Sequence, residues 1–142
     1  MTGMRFLTNI GVFLWLLACA VQDWRTRQVS NWLTMTPLFG ALLFWLIQVR
    51  PISPWPAPTA AALLLLAWQA GWIGGADAKA SMALALFSLS LLAWAWCGAA
   101  LWYLALRPFY TRKDLRILPG FVGFAAGVAA RALLILLPGV LR

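Results

Sequence analysis

An all-α polytopic membrane protein is what this sequence predicts, and three observations predict it. Apolar residues make up 64% of the 142 and charged residues only 10%. The mean hydropathy of +0.87 lies outside the range of soluble domains. The apolar residues come in long runs of Leu, Ala and Trp, without the two-residue alternation of barrel strands. A lipid-exposed chain must satisfy its backbone polar groups internally, so these runs are helices.

The first run, residues 6–22, follows a basic start and ends in "LLACA", which approaches a lipoprotein cleavage site. Cleavage there would leave five further apolar spans to explain, so an uncleaved first helix is expected. Runs at 33–49 and 58–72 follow, separated by the Pro-rich "RPISPWPAP". The stretch 78–106 as one helix would be about 43 Å long, beyond the roughly 30 Å hydrocarbon core. A break near Ser88–Ser90 resolves it into two short helices. The last run, 117–137, completes about six transmembrane helices, and Trp24, Trp32, Trp55 and Trp72 fall near span ends, as interfacial residues do. Arg131 inside the last run either snorkels or faces the interior.

Charge supports six helices over five. With the first helix ending on the cytoplasmic side, "DWRTRQVSN" and "GGADAK" are cytoplasmic, and six helices bring "RPFYTRKDLR" to the same side. That is the positive-inside pattern, and it explains the net charge of +8 without nucleic acid as a partner. The reading is one membrane-embedded domain over residues 1–142, with the lipid bilayer as its first partner. It has no His, the usual general base and a common metal ligand, which argues against a zinc protease or a Ser/His hydrolase. No metal or cofactor is expected. Cys19 and Cys97, without CxxC pairing, read as small buried residues.

Only three acidic residues exist, Asp23, Asp77 and Asp114. Asp23 beside Arg25 and Arg27 reads either as a solvated charge cluster or as a functional group. Asp77 after Gly74 and Gly75 reads either as a helix N-cap or as a functional group. Lys79 is either an interfacial anchor or a charge that tunes Asp77. The six-helix topology puts both aspartates at similar depth on the cytoplasmic side, which permits a carboxylate pair that shares one proton.

The stretch "DWRTRQVSN", residues 23–31, resembles the D-x-R-x-x-x-I-P-N motif of type IV prepilin peptidases, and "GGADAK", residues 74–79, resembles their G-x-G-D-x-K motif. "LPGFVGFAAG", residues 118–127, is similar to the start of that family's last helix. The resemblance implies a GxGD-type membrane aspartyl protease of the short, peptidase-only form, which cuts the basic leader from prepilin-like membrane proteins, such as Flp pilins or archaeal pilin and flagellin-like proteins. Asp23 and Asp77 match the catalytic aspartates. Arg25, Asn31, Gly74 and Lys79 match further motif positions, with Gly75 between them, in geometric or electrostatic roles. The implied location is the inner (cytoplasmic) membrane, multi-pass, with the site near the cytoplasmic face.

Three departures from the family pattern stand out. Ser30 replaces Pro, which bears on how rigidly the chain enters the next helix. Ala76 replaces the Gly before the second aspartate, and Ala disfavours backbone conformations that Gly permits. The cysteine-bearing insertion of the large bifunctional enzymes is absent, so N-methylation is not expected. Ala76 makes a catalytically inactive scaffold or assembly factor of a pilus or secretion system the alternative reading, and a small transporter a third. The oligomeric state is not fixed by the sequence.

Overall fold

A computed structural model of the chain describes residues 2–47, 55–109 and 120–140, with side chains over 8–47, 55–109 and 120–135. Among these residues the regular structure is entirely helical: α1 (Thr2–Thr26), α2 (Asn31–Ile47), α3 (Pro56–Gln69), α4 (Gly75–Phe87), α5 (Leu89–Leu106) with a 3-10 turn at Arg107–Phe109, and α6 (Gly120–Val140). The expected split within 78–106 occurs at Ser88, whose extended backbone ends α4 and whose N–H still reaches the Leu84 carbonyl. Most of "RPFYTRKDLR" and of the Pro-rich loop, with Leu118 and Pro119, lies outside the described residues.

By length and composition, the stretch Leu89–Phe109 is the one helix among the described residues long and apolar enough to cross a membrane. Asn31–Ile47 and Gly120–Ile135 are apolar but shorter. The four tryptophans expected at interfaces are all exposed, Trp32 and Trp72 most strongly.

The helices group into two compact units. The first holds α1 and α6 together with α5 from Ala93 onward. Val12, Leu16, Cys19 and Ala20 are buried at helical spacing along α1, and α6 supplies Phe121, Phe124, Ala125 and Val128. Phe124 packs against Trp96 of α5 at 5.4 Å and edge-on to Phe121 at 5.6 Å. Arg131 does not snorkel alone: its guanidinium donates to Oδ1 of Asn9 on α1. Cys97 corrects the expectation of two buried cysteines. It is exposed on α5, whereas Cys19 is buried, because the inward side of α5 is taken by its close approach to α6.

That approach runs through glycine. A Cβ on Gly127 would lie 1.9 Å from the Trp94 carbonyl oxygen, and one on Gly98 would lie 2.3 Å from the Gly123 carbonyl oxygen. The two backbones therefore touch directly. Gly123 and Gly127 are four residues apart on one face of α6, the small-xxx-small arrangement that lets apolar helices approach closely.

The second unit spans Val29 to Leu92 and is built around α4. Ala78 and every residue from Ala80 to Leu86 are buried, with α2 and α3 packed against the helix. The Ala-rich sequence of α4 presents little side-chain bulk, so it tolerates neighbours on more than one face. A helix this evenly buried shows almost no amphipathic pattern, which is the expected signature of a central helix.

Gly127→Ala forces the Trp94 contact apart and should destabilise the protein by about 1–3 kcal/mol, the usual cost of overpacking. Gly11 and Gly40, with open space where a Cβ would go, provide the control. Substituting Ala there should be neutral or stabilising by about 0.5–1 kcal/mol. Thermal unfolding in detergent, compared among the three variants, checks both expectations.

Candidate active site

Asp23 sits in the last turn of α1, one residue beyond the apolar run that ends at Gln22. The helix closes there through the Arg27 N–H, which donates to the Asp23 carbonyl at 2.9 Å. Arg27 adopts a left-handed φ of 56°, a conformation usually left to glycine at helix ends. Holding a non-glycine residue there costs on the order of 1 kcal/mol.

The Asp23 side chain is half-buried, and burial raises its pKa above the ordinary carboxylate value. Three groups oppose that effect: the backbone N–H of Phe121, the Arg27 guanidinium and the backbone N–H of Gly120. Gly120 and Phe121 open α6, so the carboxylate meets a helix N-terminus, where unsatisfied N–H groups and the helix dipole favour negative charge. Desolvation is the largest effect and outweighs them.

Arg25, the motif arginine, is exposed. With Trp24 it lines an apolar groove of about 400 Å³ between α1 and α6, along which Phe13, Leu17, Val21 and Ala126 are exposed or half-buried.

Asp77 belongs to the second unit. It is not the N-cap of α4: that position is Gly74, whose carbonyl accepts the first helical bond, from Ala78, at 2.9 Å. Asp77 lies in the first turn, and its carboxylate folds back over Gly74. A Cβ on Gly74 would stand 3.3 Å from Asp77 Oδ2. Gly75 leaves room for a second close approach: a Cβ there would stand 3.3 Å from Nε1 of Trp68. Both motif glycines thus clear space at the start of α4.

Trp68 is delivered by the end of α3. Gly71, at φ 74°, turns the chain, with Gly71 N–H donating to Trp68 O and Trp72 N–H to Ala67 O, both at 2.9 Å. This is a Schellman termination, and it sends the chain back toward the motif glycines.

Lys79 does not act as a free interfacial anchor. Its ammonium donates to Oδ1 of Asn31 at 2.7 Å and lies 5.9 Å from the centre of the Trp68 ring, within cation–π range. The last residue of the first motif is thereby joined to the last residue of the second. Asn31 is itself held at the start of α2, where the buried Thr34 hydroxyl lies 3.3 Å from the Asn31 carbonyl and 3.4 Å from that of Ser30. Ser30 precedes α2 at the N-cap position, where Ser is among the favoured residues, so it is a conservative stand-in for Pro at the helix entrance. Ala76 is helical, and its φ is not positive. Ala is the best helix former, so the backbone at 76 makes no demand that only glycine meets.

The model of the type IV leader peptidase family matches residues 10–140, a span that takes in both aspartate motifs and nearly the whole chain. The chain belongs to the type IV leader peptidase family. As a member of it, the protein is a leader peptidase-like protease, of a family typically associated with membranes, acting on prepilin-like substrates in general. No curated protein and no solved structure matched the chain.

Trp68 lies outside all three stretches that resemble the family's motifs, whereas Arg27 and the residues that open α6 lie within them, where nothing in the sequence marks a contact with Asp23. Arg27 stands just past the end of α1 and reaches Asp23 from there, not along a helix face. Trp68 is one of ten tryptophans, and nothing in its local sequence sets it apart.

The burial of Asp23 has a consequence for stability. Its pKa is raised on folding, so the folded state binds this proton more tightly than the unfolded chain. The stabilisation is complete below the ordinary carboxyl value, about 3.9, and is lost as pH rises through the raised value. Asp23→Asn cannot ionise, so its stability relative to wild type should rise across that window and level off above it. Unfolding midpoints of both proteins from pH 3.5 to 8 check the sign. Lys79→Met removes the Asn31 bond and the Trp68 contact together, and should destabilise by about 1 kcal/mol, measured in the same way.

Proposed function

We propose that this chain is a multi-pass aspartyl endopeptidase of the inner membrane that removes the basic leader from type IV prepilin-like substrates at the cytoplasmic face. The family match across residues 10–140 carries the reading, because it spans both motifs in order. In this proposal Asp23 and Asp77 are the catalytic carboxylates, sharing one proton between them. Arg25, Asn31, Gly74, Gly75 and Lys79 have supporting roles. The Asn31–Lys79 bond supports the assignment for those two residues, since it ties the ends of the two motifs together.

In the mechanism Asp77 takes a proton from water, whose oxygen adds to the scissile carbonyl carbon. Asp23, whose protonated form burial favours, gives its proton to the carbonyl oxygen. The tetrahedral intermediate is therefore neutral. On collapse Asp77 returns its proton to the leaving nitrogen, the C–N bond breaks, and Asp23 regains a proton from the hydroxyl that becomes the new carbonyl. No covalent enzyme intermediate forms.

The substrate presents an apolar helix within the bilayer with its leader at the surface. The chain carries a net charge of +8, so a basic leader is not drawn in by simple attraction. Recognition rests on the apolar segment, and helix-to-helix contact supplies orientation. Flp-type pilins and archaeal pilin or flagellin-like proteins are the substrate classes that the short form suits. N-methylation is no part of the activity.

Asp23→Ala and Asp77→Ala, each tested alone in membranes with candidate prepilins, should lose at least about 100-fold in cleavage rate. Cleavage retained by either variant rules out the two-aspartate mechanism. Pilus assembly that survives removal of both aspartates would instead identify a scaffold.

A further inference from the structure

The contact between Arg131 and Asn9 plays no part in the proposed chemistry, yet both residues sit in apolar sequence. Asn9 is only 4% exposed, and Arg131 interrupts the run "GVAARALLILL" in α6. An arginine within an apolar helix is costly to desolvate. Asn9 brings no charge to offset that. Two apolar side chains would hold α1 to α6 at least as firmly, since replacing buried polar partners by packed apolar ones is often neutral or stabilising. What an apolar pair lacks is register: it tolerates sliding, whereas a bond between one nitrogen and one oxygen does not.

The second polar link between the same helices is the one at Asp23, where the Gly120 and Phe121 amides meet the carboxylate. The two links are about 21 Å apart along α1, at roughly 1.5 Å per residue. Asn9 precedes Asp23 on α1, while its partner Arg131 follows Phe121 on α6, so the helices run antiparallel and the links sit toward opposite ends of their contact. A slip of one turn, about 5.4 Å, that broke the first link would carry the amides off the carboxylate as well.

We propose that the Asn9–Arg131 pair is a positioning device, which fixes the register of α1 against α6 and so keeps the Gly120 and Phe121 amides on the Asp23 carboxylate. Its effect on cleavage rests on the reading of Asp23 as catalytic, but the register itself does not. Arg131 and Asn9 act through Asp23 and touch no substrate.

The test uses the full chain in detergent and reads amide hydrogen exchange at Gly120 and Phe121 beside cleavage of a candidate prepilin. In Arg131→Met and in Asn9→Leu these two amides should exchange at least about tenfold faster, with the amides of α4 unchanged. Cleavage should fall by at least about tenfold. Arg131→Lys, which keeps a donor, should stay nearer to wild type in both measurements. If Arg131→Met fails to fold, the double variant Asn9→Leu/Arg131→Leu, with neither polar group left buried, provides the same reading. Unchanged exchange at Gly120 and Phe121, or an equal rise across the amides of both units, overturns the proposal. Wild-type protein that leaves every prepilin intact counts against the proposed activity alone, and exchange still decides the register.

Discussion

A carboxylate held against the start of a helix is the contact on which the first unit depends. Asp23 ends α1, Gly120 and Phe121 begin α6, and the two helices are distant in sequence. Their association brings a charge out of water, and desolvation resists that. The amides and Arg27 recover part of the cost, and the left-handed backbone at Arg27 adds a small strain of its own. The strain at Arg27 and the desolvation at Asp23 thus meet at the end of α1.

The second unit solves a different problem. Asp77 needs no distant partner to be placed, because its position follows from the first turn of α4 and from two glycines that leave room around it. What needs support is the turn itself. Trp68 lies over Gly75, Lys79 lies near the Trp68 ring, and Asn31 accepts from Lys79, so α2, α3 and α4 all contribute to one small cluster. The buried, Ala-rich body of α4 gives that cluster a rigid base.

Ala76 shows how a motif departure changes meaning once the backbone is known. In sequence it stands where glycine is usual and invites the reading of a lost activity. In the fold it is an ordinary helical residue, and alanine suits it. Ser30 is similar, standing at a helix entrance where serine is favoured. Neither residue has a left-handed backbone that would favour glycine.

Composition and the lengths of the apolar runs by themselves determined that the chain is helical, with about six helices and a break near Ser88–Ser90, while the likeness to the family's motifs singled out Asp23 and Asp77 as candidates. These are local or additive properties: hydropathy sums along a run, and an apolar run too long for one span predicts a break. The motif spacing likewise reached the family. Only the tertiary structure decided the partners. Lys79 pairs with Asn31, 48 residues away, and Arg131 with Asn9, 122 residues away, and no local pattern encodes such meetings. The inward side of α5 was also undecided, because an evenly apolar helix has no preferred face until glycines on its neighbour admit its backbone. Cys97 stayed outside for that reason.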